Sequence, residues 1–187
     1  MNIPETVYAQ FPELSTPRLR MRETRPGDAQ AVFDILSQPE VTRFYSLSPL
    51  TRIEEAQEII ARRAQGFARR QRIRWAIARL EDDGVIGSCG YVHWVPEAAR
   101  AEIGYELAPA HQGQGVMQEA LTAMLAFGFG SMHLHRIEAL VMPDNTASLG
   151  LLSRLGFQSE GLLRRYGFWK GEFHDLTMLS LLSGDDG

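Results

Sequence analysis

In the first part of the chain, hydrophobic residues recur first with the period of a strand and then with that of helices. Leu19 and Met21 alternate with charged residues, which predicts a half-buried strand. Apolar residues at helical spacing then predict a helix that Asp28 caps and that ends before Pro39. A second helix is predicted over 53–71 from the same spacing. The chain ahead of the first strand is expected to be a loose leader.

The rest of the chain alternates between strand and helix patterns. Strand patterns separated by short turns predict antiparallel hairpins over 74–80, 84–95 and 101–107. A helix, a strand, a helix and two further strands then follow, predicted over 116–129, 136–142, 146–155, 157–167 and 172–182. An antiparallel meander that leads into a strand–helix–strand crossover predicts an α/β fold, with a mixed sheet and helices on its faces.

Length and composition are typical of a globular protein. The 187 residues are 44% hydrophobic and 22% charged. With no internal repeat or linker, they predict a single domain over 1–187 with its core at about 15–182. The net charge of −4 argues against a general nucleic-acid-binding surface. Six arginines in 62–74 are interpreted as a solvated helix face, with a local basic patch as the alternative.

Cysteine, histidine and apolar content narrow the class of protein further. The single cysteine, Cys89, excludes an internal disulfide framework and is expected to be buried. His133 and His135 lack a metal-binding spacing, so no metal is predicted. No apolar run reaches the roughly 18 residues that span a bilayer, and the N-terminus lacks a secretory signal pattern. We therefore expect a cytoplasmic protein without a membrane partner.

The stretch HQGQGVMQEAL, residues 111–121, has two glycines directly before a predicted helix. The first N–H groups of a helix have no internal partner and carry partial positive charge. Gly113 and Gly115 would leave those groups open to an anion such as a pyrophosphate, although a tight turn is the simpler explanation of the two glycines alone. The stretch is not a dinucleotide-binding fingerprint, because Gln118 stands where the third glycine belongs.

Polar residues with possible roles in chemistry follow this stretch. Asn145 is predicted to cap the next helix. Ser148 lies near the start of that helix, where its hydroxyl can cap, bond back to a carbonyl or face a ligand. Glu160 and Asp175 lie on the last two strands, where a carboxylate is usually exposed.

These features together resemble a known superfamily. The stretch 112–117 is similar to the acyl-CoA motif Gln/Arg-x-x-Gly-x-Gly/Ala of the GNAT superfamily of N-acetyltransferases. Four further segments resemble the RimJ/RimL branch of this superfamily, which acetylates ribosomal-protein alanine. They are Asn145-x-x-Ser148, Leu155-Gly156-Phe157, Glu160-Gly161 and the ending Gly171…Asp175. The match covers about residues 15–182. Met117 departs from the motif, where Gly or Ala is usual, and is expected to narrow the pocket while leaving the backbone donors in place.

The resemblance implies a fold, a reaction and a co-substrate. It implies a central, mostly antiparallel, splayed sheet of about seven strands with about four helices on its faces. Acetyl-CoA would be the donor and a primary amine the acceptor, in a direct transfer within a ternary complex. A protein or peptide N-terminal α-amine is the leading acceptor. A small-molecule amine (a polyamine or an amine antibiotic) and a non-catalytic CoA-binding module are the alternatives, and a homodimer is left open.

The resemblance also implies roles for individual residues. The residues expected to bind acetyl-CoA are Leu107, Ala108, Gln112, Gly113, Gln114, Gly115, Val116, Met117, Asn145 and Ser148. Ser148 is also the candidate to assist the departing thiolate, and a backbone N–H at the end of the 101–107 strand would meet the developing oxyanion. Glu160 is the candidate base, directly or through water, and Glu102 is the competing candidate.

Aromatic residues near the ends of elements are the candidates for an acceptor pocket. Phe44 and Tyr45 follow the first predicted helix, while Tyr166 and Trp169 flank the last hairpin. Core packing explains these residues equally well, so both interpretations stay open at this point.

Overall fold

The computed structural model describes residues 5–184 as one mixed sheet with helices on both faces. The strands are β1 (Leu14–Ser15), β2 (Leu19–Glu23), β3 (Ile73–Arg79), β4 (Val85–Val95), β5 (Arg100–Leu107), β6 (Arg136–Val141), β7 (Gln158–Trp169) and β8 (Glu172–Leu182). The α-helices are α1 (Ala29–Leu36), α2 (Pro39–Thr42), α3 (Ile53–Ala68), α4 (Val116–Gly130) and α5 (Thr146–Arg154). The predicted α/β fold class is confirmed.

The differences from the predicted elements are small and local. Within the described residues there are eight strands and five α-helices, one more of each than expected, and the two extra elements are the short β1 and α2. Pro39 ends the run of α1 as predicted but also begins α2, because proline suits the first position of a helix. The helix predicted to reach residue 71 ends at Ala68, and Arg70 has a left-handed backbone with φ of 57°.

Asp28 precedes α1 as predicted, but it does not cap the helix with its side chain. Its carboxylate instead accepts hydrogen bonds from Nη1 of Arg22 at 2.8 Å and from the backbone N–H of Arg25 at 2.6 Å. The Arg22 side chain is 2% exposed and also pairs with Asp83 at 2.8 Å. Burying a guanidinium without a partner costs more free energy than leaving the N–H groups of an exposed helix end to water. The Asp28 carboxylate therefore pairs with Arg22 rather than with the start of α1.

The order of strands in the sheet is β1-β2-β3-β4-β5-β6-β8-β7. Strands β1 to β5 form an antiparallel meander, and β6, β8 and β7 form a second antiparallel group. The two groups are joined by β5 and β6, which run parallel and pair at three positions, from Arg100 to Glu102 on β5. Beyond Glu102 the two strands separate.

A bulge in β4 lies at the same level as this separation. The register between β4 and β5 shifts between Tyr91 and His93, which leaves Val92 as the extra residue opposite Glu102 and Ile103. A bulge bends its strand and increases the local twist. The bend therefore coincides with the point where β5 leaves β6.

Each face of the sheet has its own hydrophobic core. On one face, α4 and α5 pack on buried side chains of the central strands, including Trp75, Tyr91 and the predicted buried Cys89. On the other face, α1, α2 and α3 pack together through residues such as Val32 and Ile60. None of the helices in residues 5–184 is long and apolar enough to cross a membrane.

Candidate active site

A cleft of about 540 Å³ opens where β5 and β6 separate. The last part of each strand lines it, at 103–107 and 139–142. On one face of the sheet it is bounded by α2 and the loop after it, and on the other by the turn before α4 and the start of α5. The cleft therefore joins the two faces of the sheet.

The turn before α4 presents free backbone donors to this cleft. Gly113 and Gly115 have φ of 72° and 73°, a left-handed conformation that side-chain-bearing residues rarely adopt. A Cβ added at Gly113 would meet nothing within 4 Å, so the space above it is open. In the described part of the chain, the N–H groups of 113–118 have no hydrogen-bond acceptor. The N–H of Gln112, in contrast, is used, since it donates to the carbonyl of Pro109 at 3.1 Å.

Arg18, directly before β2, braces this turn. Its Nη1 donates to the carbonyl of Gln114 at 3.0 Å, and its Nε donates to Glu119 of α4 at 2.6 Å. The Arg18 side chain is 51% exposed, and its Nη2 lies 3.6 Å from the position of a Cβ on Gly115. A guanidinium thus stands beside the free N–H groups and adds positive charge to a place suited to an anion.

The free edge of β5 takes its partners from outside the sheet. The hydroxyl of Tyr45 donates to the carbonyl of Tyr105, and Nε2 of Gln112 donates to the carbonyl of Leu107 at 3.0 Å. In an antiparallel strand, the N–H and C=O of one residue point to the same edge. The N–H groups of Tyr105 and Leu107 therefore point toward the cleft. Ala108 is different, because its N–H donates to Ile86 and its carbonyl accepts from His111.

At the start of α5, two of the predicted residues lie together in the cleft wall. Asn145 caps the helix as predicted, with its Oδ1 accepting from the N–H of Ser148 at 3.2 Å. The Ser148 hydroxyl forms a hydrogen bond with the hydroxyl of Tyr105, across the cleft on β5. Burial raises the pKa of Tyr105 to about 12. The phenol is therefore neutral at physiological pH.

A buried charge cluster supports β5 from the face that carries α3. Glu106 accepts hydrogen bonds from Ser88, from Tyr45 at 3.1 Å and from Nη2 of Arg63 at 3.0 Å, and it also pairs with Arg74. Although burial alone raises the pKa of Glu106, the two arginines and the hydroxyl donors hold it below its usual value. Glu106 is thus a buried anion.

This cluster changes the interpretation of the arginine run at 62–74. Arg62 is exposed on α3, as a solvated helix face requires, whereas Arg69 and Arg72 are exposed but lie after the end of the helix at Ala68. Arg63 and Arg74 instead turn inward to Glu106, with side chains 12% and 11% exposed. The run therefore contains both solvent-exposed arginines and two arginines that pair with a buried carboxylate.

The two candidate bases lie on the paired side of the point where β5 and β6 separate, Glu102 directly at that point and Glu160 farther from it. Glu160 is the extra residue of a bulge in β7, and its carboxylate is held by Arg136 and by the hydroxyl of Ser180 at 2.7 Å. Hydrogen bonds from Arg136 and Ser180 lower its pKa to about 2. Arg136 begins β6, four residues or about 13 Å from the cleft-lining Leu140.

Glu102 is the last residue of β5 that pairs with β6. Burial raises its pKa, as does Glu138, while His93 and Arg100 lower it. Neither Glu102 nor Glu160 lines the cleft. Their role as base stays a prediction.

The aromatic candidates divide into two groups. Phe44 and Tyr45 line the cleft on the α2 side, next to Glu40. Tyr166 is exposed on the last hairpin, and Trp169 stacks on a histidine of the neighbouring strand, so neither lines the cleft. Among residues 5–184, no group of three or more His, Cys, Asp or Glu is arranged to hold a metal ion.

Sequence reasoning missed three features of the site, namely the Arg18 brace, the Tyr105 hydroxyl and the Glu106 cluster. The alternation of residues along a strand could have indicated Tyr105 and Glu106. In the predicted strand 101–107, alternate residues face opposite sides of the sheet, so Tyr105 and Glu106 had to serve different faces. Their partners, from α5 and α3, are distant in sequence and could not be read from that alternation.

Comparison with known proteins decides the family. The family described as "Acetyltransferase (GNAT) domain" matches residues 18–158. The N-acetyltransferase YoaA of Bacillus subtilis (strain 168), itself uncharacterized, is 38% identical over 172 residues, which are 92% of this chain and 97% of YoaA. The chain belongs to the GNAT acetyltransferase family. This GNAT protein is accordingly an acyl-CoA-dependent N-acetyltransferase, and the resemblance noted in the sequence is confirmed.

Two further relatives belong to the RimJ/RimL branch. The alanine N-acetyltransferase of ribosomal protein uS5 from Escherichia coli (strain K12) is 40% identical over 83 residues, 44% of this chain and 43% of that enzyme. RimJ of Mycobacterium smegmatis, solved with a CoA disulfide, superposes with a TM-score of 0.82 at 25% identity, over 90% of this chain and 83% of that one. The GNAT protein thus shares its fold with a structure that holds a CoA derivative.

The buried cluster generates a prediction about stability. Glu106→Gln would leave Arg63 and Arg74 without their anion, so we expect it to lower the free energy of unfolding at pH 7 by about 3–5 kcal/mol. Because the folded-state pKa of Glu106 lies below the ordinary 4.5, this contribution is complete above that pH and declines as the pH falls below it. Urea unfolding from pH 7 to pH 3 measures the difference.

A matched control is the exposed Glu58 on α3, where Glu58→Gln should change the stability by less than about 0.5 kcal/mol at every pH. A difference between wild type and Glu106→Gln that does not shrink at low pH would contradict the proposed source of the stabilisation.

Proposed function

We propose that this GNAT protein transfers the acetyl group of acetyl-CoA to the N-terminal α-amine of a protein or peptide, by direct attack in a ternary complex. The observation that carries the proposal is the cleft between β5 and β6, which has free N–H groups on one face of the sheet and an aromatic wall on the other. The relative from Escherichia coli that is named as the alanine N-acetyltransferase of ribosomal protein uS5 supports this acceptor class.

The residues of the first face fit the phosphates and the pantetheine arm of acetyl-CoA. The N–H groups of 113–118, with Arg18 beside them, suit a pyrophosphate. The free edge of β5 suits the amides of the arm, through the N–H groups of Tyr105 and Leu107. Asn145 keeps its Nδ2 for the same arm, since only its Oδ1 is used in capping. Bound acetyl-CoA supplies the activated thioester carbonyl.

The second face suits a peptide amine. Phe44 and Tyr45 offer apolar contact, and the exposed Glu40 beside them offers a carboxylate that attracts a protonated amine. An α-amine has a pKa near 8, so forming its neutral state at pH 7 costs about 1.4 kcal/mol, whereas a lysine near 10.4 costs about 4.6 kcal/mol. An α-amine therefore needs little help from a base.

We infer that water in the cleft, rather than a fixed carboxylate, takes the proton of the amine. A carboxylate held at a pKa of about 2, as Glu160 is, accepts a proton poorly. Glu102 has a raised pKa but lies outside the cleft lining. The N–H groups at the end of β5 suit the developing oxyanion, and the Ser148 hydroxyl suits the departing thiolate. A cytoplasmic location and a homodimer stay predictions.

The central experiment measures CoA release from acetyl-CoA over a panel of amines. We expect turnover with peptides that have a free α-amine and none with the same peptides blocked at the N-terminus. A polyamine, an amine antibiotic and a blocked peptide containing lysine test the alternatives. Faster turnover of any of these three would overturn the acceptor class, and acetyl-CoA binding without turnover of any amine would favour a binding module.

The turn before α4 is tested by Gly115→Glu. The substitution forces a side chain into a left-handed position with φ of 73° and adds a negative charge to the anion site, so acetyl-CoA affinity should fall by at least about a hundredfold. Calorimetric titration with CoA measures the loss. The matched control is Gly27→Glu, at an exposed position where a Cβ meets nothing within 4 Å. Retained affinity in Gly115→Glu would mean that the anion binds elsewhere.

The choice of base is tested by the pH profile. If water accepts the proton, kcat/KM for a peptide rises with an apparent pKa near 8, that of the α-amine, and Glu160→Gln keeps both the profile and the rate within about twofold. Glu102→Gln tests the competing carboxylate in the same way. A loss of turnover in either variant that is largest below neutral pH, with acetyl-CoA affinity preserved, would assign that residue as the base.

A further inference from the structure

The hydrogen bond between Tyr105 and Ser148 joins the two walls of the cleft. Tyr105 lies on the free part of β5, and Ser148 lies in the first turn of α5. Both side chains line the cleft. In the described part of the chain, Tyr105 is the one hydrogen-bond partner of the Ser148 hydroxyl. The orientation of the Ser148 hydroxyl in the cleft therefore depends on Tyr105.

The direction of this hydrogen bond follows from the chemistry of the two groups. A serine hydroxyl has one hydrogen and two lone pairs, and a phenol is the stronger acid of the two. The phenol is thus the better donor and the serine oxygen the better acceptor. With one lone pair occupied by Tyr105, the serine hydrogen is directed away from the phenol. The backbone beneath it is held as well, because the Ser148 N–H donates to Asn145.

We propose that Tyr105 is a positioning residue that orients the Ser148 hydroxyl to donate a hydrogen bond to the departing thiolate. The inference deepens the proposed function and rests on it. In the transfer, the amine nitrogen forms a bond to the thioester carbonyl carbon and loses a proton to water. The carbon–sulfur bond breaks, and its electron pair stays on sulfur as a thiolate. Ser148, held by Tyr105, stabilises that charge, and the thiolate later takes a proton from water.

The acidities favour a hydrogen bond over a proton relay. The Tyr105 pKa of about 12 lies more than three units above the value of about 8.5 typical of a thiol. Transfer of the phenol proton to the thiolate is thus unfavourable. A donor that stays protonated over the whole working range still polarises and orients the serine at every pH. The role of Tyr105 is therefore independent of pH.

The test is a double-mutant cycle between Tyr105→Phe and Ser148→Ala, with kcat and KM measured for acetyl-CoA and a peptide acceptor. Tyr105→Phe should lower kcat by about tenfold and leave KM for acetyl-CoA within twofold, as loss of one transition-state hydrogen bond predicts. In the Ser148→Ala background, Tyr105→Phe should have no further effect. Ser148→Thr retains a hydroxyl and should restore most of the rate lost in Ser148→Ala.

The matched control is Tyr91→Phe on β4. Its hydroxyl donates to the carbonyl of Met124 at 2.8 Å in the core, so this variant loses a buried tyrosine hydrogen bond outside the cleft and should keep kcat. An equal loss of kcat from Tyr105→Phe in both serine backgrounds, or no loss at all, would overturn the inference while the wild-type activity stands. Full activity of Ser148→Ala would overturn it too, even if Tyr105→Phe does not fold. An inactive wild type across the amine panel would instead reject the proposed function.

Discussion

The brevity of the pairing between β5 and β6 is the constraint on which the rest of this structure depends. The two strands share three register positions and then separate, next to the bulge at Val92 in β4. A separated strand pair has unpaired N–H and C=O groups, which are costly when they are buried without partners. The protein satisfies part of this edge with side chains, from Tyr45 to the carbonyl of Tyr105 and from Gln112 to that of Leu107. The N–H groups that remain are available to a ligand.

The Glu106 cluster holds the unpaired part of β5 in place from the face of the sheet that carries α3. Glu106 neighbours Tyr105 in β5 but faces the opposite side, where Arg63 of α3 and Arg74 of β3 meet it. The same residue also accepts from Tyr45, whose hydroxyl serves the free edge. The charge cluster and the cleft wall are therefore one connected network. Buried ionic groups fix a geometry at some expense in stability, which suits a strand that must stay in place without a neighbour.

The separation of the strands also divides the chemistry between the two ends of the β5–β6 pair. At the open end lie free N–H groups, two hydroxyls and an aromatic wall, and the charged groups there include the exposed Glu40 and the buried anion Glu106. At the closed end, the buried Glu138 pairs with Arg100 and Arg136, and the exposed Glu160 pairs with Arg136. Catalysis in such a cleft relies on orientation and on donors aimed at developing charge rather than on a strongly perturbed acid or base. An α-amine acceptor fits this arrangement because about a tenth of it is already neutral at pH 7.

The sequence by itself determined the class of fold, the order of the elements and the open glycine turn before α4. These follow from periodicity, capping residues and glycines, which act within a few residues of one another; Asn145 capping α5 and the left-handed Gly113 and Gly115 are examples. That this turn binds an anion stays a prediction. The tertiary structure alone decided which polar side chains meet. Glu160 turns to Arg136 because a bulge in β7 re-aims it, and Ser148 meets Tyr105 because the separated strands bring α5 against β5. Those contacts join residues more than twenty positions apart, where periodicity carries no information.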